Sequence, residues 1–136
     1  MIVVDTNIVI YLFLPTQYTP LSEKLLLEDS HWIAPILWKS EFRNVLALYI
    51  RKKILSQQNA LIIQQEAEDL FFENEYQVSS VQVLRLVASS ECSAYDCEFV
   101  ALAQNYDIPL ITQDKKILRN FPNSAFSLDS YLNSKV

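Results

Sequence analysis

Four acids punctuate the chain, and three of them, Asp5, Asp96 and Asp114, lie where apolar sequence meets helix-forming sequence. Asp5 follows Ile2-Val3-Val4, Asp96 closes Ser93-Ala94-Tyr95-Asp96, Asp114 closes Leu110-Ile111-Thr112-Gln113-Asp114, and Glu41 stands in Ser40-Glu41-Phe42. Acids gathered at the carboxyl ends of parallel strands form an uncompensated negative cluster, which persists only by protonating or by binding cations. Four carboxylates without His or Cys select a hard divalent cation, Mg2+ or Mn2+, over zinc or copper. Such an ion polarises a phosphoryl oxygen, lowers the pKa of a bound water and stabilises the leaving oxygen. The implied chemistry is phosphodiester hydrolysis.

Taken singly, each acid has a structural explanation. Asp5 and Asp114 directly precede helix-forming stretches and suit N-cap positions, and Asp96 lies three residues after Ser93 in a capping-box pattern. Glu41 falls inside a helix near the edge of its apolar stripe, where a solvated glutamate is common. Capping and solvation do not explain convergence of all four, whereas residues after the first and fourth strands of a doubly wound sheet share one edge.

The elements that must position these acids follow from the apolar pattern. Strands are expected at Ile2 to Val4, Trp32 to Ala34, Tyr76 to Val78, Pro109 to Ile111 and Ala125 to Ser127. Helices are expected from Asn7 to Leu12, Pro20 to Glu28, Pro35 to Arg51, Ser56 to Phe72, Ser80 to Ala88, Ala94 to Tyr106 and Lys115 to Asn120. Pro35 suits a first helical turn. Alternation of this kind predicts an α/β fold of three layers, α/β/α, with a mainly parallel central sheet. At 136 residues, the expectation is one domain over residues 1–136.

Composition removes competing chemistries. The chain has no glycine, so it holds neither a Walker loop, a G-x-G-x-x-G turn nor a glycine nucleophile elbow. Its one histidine, His31, is read as a surface or structural residue, and Cys92 and Cys97 as a buried reduced pair fitting a cytoplasmic protein. The apolar opening lacks a basic leader and is broken by Asp5, Thr6 and Asn7, so it reads as a strand; no apolar run is long enough to span a membrane. A net charge of −5 argues against a general nucleic-acid coat. Cations bound at the acids would bring the balance close to neutral and leave room for local basic patches.

The chain resembles the PIN-domain nucleases, and within them the small VapC-like endoribonuclease toxins of bacterial toxin-antitoxin pairs. The resemblance rests on Val4-Asp5-Thr6-Asn7, Ser40-Glu41-Phe42-Arg43-Asn44-Val45-Leu46, Tyr95-Asp96 with Ala101-Leu102-Ala103, and Ile111-Thr112-Gln113-Asp114, in that order and spacing. It implies that Asp5, Glu41, Asp96 and Asp114 bind metal, with Thr112, Thr6 and Asn7 assisting through hydroxyl or amide groups. It further implies Mg2+- or Mn2+-dependent RNA cleavage, homodimerisation, and inhibition by an antitoxin segment seated in the active-site groove.

Lys39 and Arg43 near Glu41, and Lys115, Lys116 and Arg119 after Asp114, are candidates for holding a phosphate backbone; solvated helix faces explain them equally well. Trp38, Phe42 and Tyr49 recur at helical spacing and read as core or dimer interface. Two rivals stand beside the nuclease. One is a phosphoaspartyl enzyme or receiver: a haloacid-dehalogenase-like phosphatase is disfavoured because Asn7 occupies the place of its second Asp, and a receiver because its paired acids and supporting lysine have no counterpart in the sequence. The other is a non-catalytic PIN-like module that binds RNA or a protein without cutting.

Overall fold

A computed structural model describes residues 1–134, so the last two residues of the expected domain lie outside the described part. Five strands, β1 (Ile2–Val4), β2 (Trp32–Pro35), β3 (Glu75–Tyr76), β4 (Leu110–Ile111) and β5 (Ala125–Phe126), form one all-parallel sheet in the order β3-β2-β1-β4-β5. Eight helices are described: α1 (Thr6–Phe13), α2 (Thr19–Glu28), α3 (Leu37–Arg51), α4 (Gln57–Leu70), α5 (Ser80–Ala88), α6 (Ala94–Tyr106), α7 (Lys115–Asn120) and α8 (Leu128–Asn133). They cover the sheet in a three-layer α/β/α arrangement, the architecture expected from the alternating pattern.

The central strands are apolar because helices cover both their faces. All of β1, β2 and β4 is buried. β1 pairs with β2 on one side and β4 on the other, with Val3 opposite Ile33 and Leu110. The chain therefore travels outward from β1 through β2 to β3, then returns to lay β4 against the free side of β1. That reversal opens a crevice at the carboxyl ends of β1 and β4, the ligand position of open α/β sheets.

α6 packs on β1, β2 and β4 and buries Cys97, Phe99, Val100, Ala101, Leu102 and Ala103. Its alanines permit close approach to the sheet. α3 buries Trp38, Phe42 and Leu46, and Trp38 stacks tilted on Phe71 with ring centroids 4.6 Å apart. Trp38 and Phe42 are thus core residues, and Tyr49 packs half-buried against the same core.

Three local expectations change. Pro35 ends β2 instead of opening a helix; the N–H groups that reach β3 come from Ala34 and Ile36, so the missing proline donor is not needed there. β3 starts one residue earlier than expected and is shorter. The last strand ends at Phe126, and Ser127 caps a further helix, α8, by accepting the N–H of Ser130 at 3.1 Å while Leu128 and Leu132 bury one face.

His31 is exposed, with Nε2 3.0 Å from Asn74 Oδ1, and Cys92 and Cys97 are free and buried. Without glycine, the left-handed positions fall to Lys53, Glu73 and Asp107, at φ 59°, 63° and 51°; each costs roughly 1 kcal/mol relative to glycine. No described helix is long and apolar enough to cross a membrane.

Candidate active site

Asp5 leaves β1 in extended conformation and caps α1, its Oδ1 accepting the N–H of Thr6 at 2.8 Å. Its own N–H donates to Ile111 O on β4 at 2.9 Å, locking the end of β1 to the neighbouring strand. The hydroxyl of Thr112, just beyond β4, donates to Asp5 Oδ2 at 2.7 Å and accepts the N–H of Asp114 at 3.0 Å. One buried hydroxyl therefore ties the first acid to the turn that carries the last. Asp114 in turn caps α7 by accepting the N–H of Ile117 at 2.9 Å.

Glu41 approaches from another direction. α1 packs against α3, and Thr6 Oγ1 donates to Glu41 Oε1 at 2.6 Å. Asp96 sits in the first turn of α6, where Ser93 Oγ accepts its N–H at 3.1 Å and Ser93 also bonds to its side chain, the reciprocal arrangement of a capping box. Every capping explanation offered for the acids is thus correct, and it does not compete with their convergence.

The electrostatics register that convergence. Burial pushes Asp5, only 9% exposed, up to about 7. The bonds from Thr112 and Thr6 oppose the rise, and repulsion from Glu41 and Asp96 adds to it. Glu41 is raised by burial, then by Asp96 and Glu98, against the Thr6 bond. Asp96 is raised by burial and by Asp114, while its Ser93 bonds and the nearby Lys116 ammonium favour its charged form. Each of the four acids therefore feels at least one of the others.

The basic candidates separate. Lys116 is near enough to Asp96 to lower its pKa, and Arg43 and Lys115 are exposed. Lys39 is held by Glu75 at 3.4 Å and Glu68 at 3.8 Å, and Arg119 meets Glu91 at 3.7 Å on the surface. Asn7 is half-buried, and its Oδ1 is fully buried without a donor. Glu98, half-buried on α6 and raised by desolvation, is a fifth acid that motif reading passed over. Its only signal was a second acid two residues after Asp96, next to the apolar run Phe99 to Ala103.

The oxygen-only donors, the buried negative charge and the orphaned amide oxygen of Asn7 fit a hard divalent ion. Among the described residues no group of three His, Cys, Asp or Glu side chains could by itself hold an ion. A Mg2+ ion suits such a set, since it is usually held by one or two carboxylates and completes its shell with waters and substrate phosphate.

Comparison with known proteins agrees with the fold. A family model described as PIN domain matches residues 2–122. Among solved structures, PAE2754 from Pyrobaculum aerophilum is similar at a TM-score of 0.77 and 19% identity, over 98% of this chain and 94% of that one. FitAcB from Neisseria gonorrhoeae is similar at 0.75 and 16% identity, over 94% and 98%. A structure of FitAB bound to an IR36 DNA fragment is similar at 0.71 and 16%, over 94% and 95%. No curated protein sequence matches the chain. The family match spans β1 through α7, the whole stretch that builds and frames the four-acid crevice, and the chain belongs to the PIN-domain family.

Proposed function

We propose that the chain is a Mg2+- or Mn2+-dependent endoribonuclease, the toxin of a toxin-antitoxin pair, working in the cytoplasm as a homodimer and held in check by an antitoxin. PIN domains are generally nucleases. The observation that carries the reading for this chain is the joining of Asp5 to the Asp114 turn through Thr112, with Glu41 and Asp96 crowded against them. In this reading Asp5 and Asp114 contact the ion directly, Asp96 assists, and Glu41 acts through water or toward a second ion.

A bound divalent ion would supply Lewis-acid polarisation of the phosphoryl group and a water of lowered pKa. The chain's own residues do the rest. Thr112 and Thr6 fix the carboxylates of Asp5 and Glu41 so that their oxygens face one region without reorganisation. A carboxylate of the quartet orients the attacking water and accepts its proton, and no further side-chain base is needed. Lys116 stands beside Asp96, and with Lys115 and Arg43 it attracts the backbone phosphates.

The test is incubation of single-stranded RNA with the wild-type chain and with Asp5→Asn and Asp114→Asn, with Mg2+ or with chelator, followed by mapping of RNA ends. Asparagine caps helices about as well as aspartate and is a poorer Mg2+ ligand. The reading expects metal-dependent cleavage that both variants lose while remaining folded. A folded wild-type chain that leaves RNA intact in Mg2+ and Mn2+ would favour the rival module that binds without cutting.

A further inference from the structure

A groove of about 430 Å3 lies at the carboxyl ends of β2 and β3, between the first turns of α5 and α6. Its size falls within the range of about 300–1,000 Å3 usual for small-molecule sites. Ile36, Val83 and Leu84 give it apolar walls; Gln77, Ser80 and Glu98 supply its polar groups. It adjoins the acid crevice, because Glu98 is near enough to Glu41 for the two charges to repel.

Glu98 is the unusual member. It is half-buried, and among the described residues it has no hydrogen-bond or ion-pair partner. A partly desolvated carboxylate without donors is costly unless a ligand brings them. Its two oxygens accept two parallel hydrogen bonds. Guanine alone among the four RNA bases presents two adjacent donors, N1–H and the N2 amino group, on its Watson–Crick edge. Its O6 and N7 need donors, which the Gln77 amide and the Ser80 hydroxyl can give. Single-stranded RNA is read in this way, by splayed bases held between side chains and bonded along their edges.

We propose that this groove is a guanine-reading subsite, in which an unstacked guanine of single-stranded RNA lies between the apolar walls with its Watson–Crick edge on Glu98. The proposal rests on the nuclease reading above and adds a base preference to it. A basic protein side chain would also satisfy Glu98. It would leave Gln77, Ser80 and the apolar walls without a matching role, and the groove is assigned to the base for that reason.

The test uses the Asp5→Asn chain, so that bound RNA stays intact. Affinity is measured for a short single-stranded RNA with one guanosine and for the same strand with inosine, which lacks the N2 amino group. The guanosine strand should bind about tenfold more tightly, the effect of one hydrogen bond to a charged acceptor. The ratio should fall to about one in Asp5→Asn/Glu98→Gln. Equal binding of the two strands, a ratio that survives Glu98→Gln, or no RNA binding would overturn the proposal. So would Glu98-dependent capture of an arginine-bearing peptide by a chain that shows no guanosine preference. A guanosine preference in a chain whose wild type never cuts RNA would remove the nuclease reading and leave the subsite standing.

Discussion

Two groups of carboxylates in this fold have opposite surroundings. At the edge of the sheet Glu75 accepts the indole N–H of buried Trp38 at 2.8 Å and meets the Lys39 ammonium, which also reaches Glu68. At the crevice Asp5 and Glu41 receive only hydroxyl and backbone donors, and their charged neighbours include Asp96 and Glu98. The first group is electrically closed by the chain itself. The second gains closure from protons or from a cation, and that difference separates a structural cluster from a candidate active site.

The largest way to break the contrast is pH. Burial raises Asp5 from 3.8 to about 7, so between those values the folded chain holds a proton that the unfolded chain has lost. Its contribution is therefore fully present in acid, declines as pH rises toward 7, and is absent above it. In chelator, the melting temperature of the wild-type chain should fall relative to Asp5→Asn between pH 5 and pH 8, the difference corresponding to roughly 3 kcal/mol at most. Parallel melting curves for the two chains across that range would contradict the assignment.

Replacing Thr112 by valine sharpens the crevice side. It deletes the donor to Asp5 and the acceptor of the Asp114 N–H while keeping the shape. Metal affinity should fall about ten- to a hundredfold, the usual cost of losing a group that orients a ligand. A titration with Mn2+ reads this directly, and unchanged affinity would place Thr112 outside the site.

Glu75→Ala probes the other side. It leaves the Trp38 indole N–H without its acceptor and should cost about 2 kcal/mol in urea denaturation. Mn2+ affinity should not move; a parallel loss would mean that the two groups are coupled. Smallest is Arg119→Ala, whose exposed pair with Glu91 should be worth less than about 0.5 kcal/mol in the same measurement.

The legibility of the molecule follows the same division. Asp5 and Asp114 could be brought together on paper because parallel strands share a carboxyl end, and the apolar runs before both acids mark those strands. The Thr6 to Glu41 bond could not, since it depends on how α1 settles on α3, thirty-five positions away. Lys39 looked like a phosphate ligand from its place beside Glu41; its partner Glu75 is equally remote in sequence. α8 went unseen because Ser127 was read as the end of a strand, although it caps a helix that buries Leu128 and Leu132. Glu98 escaped because the residues that line the groove with it come from β3, α5 and the segments that follow β2 and β3.

The central claim is that the crevice acids bind a divalent cation through Asp5. Calorimetric titration of the chain with Mn2+ near neutral pH, repeated in buffers of different ionisation enthalpy, measures binding and proton release together. The account predicts Mn2+ binding by the wild-type chain accompanied by proton release, with both lost in Asp5→Asn. Absence of binding in the folded wild-type chain, or equal binding in the variant, would contradict it.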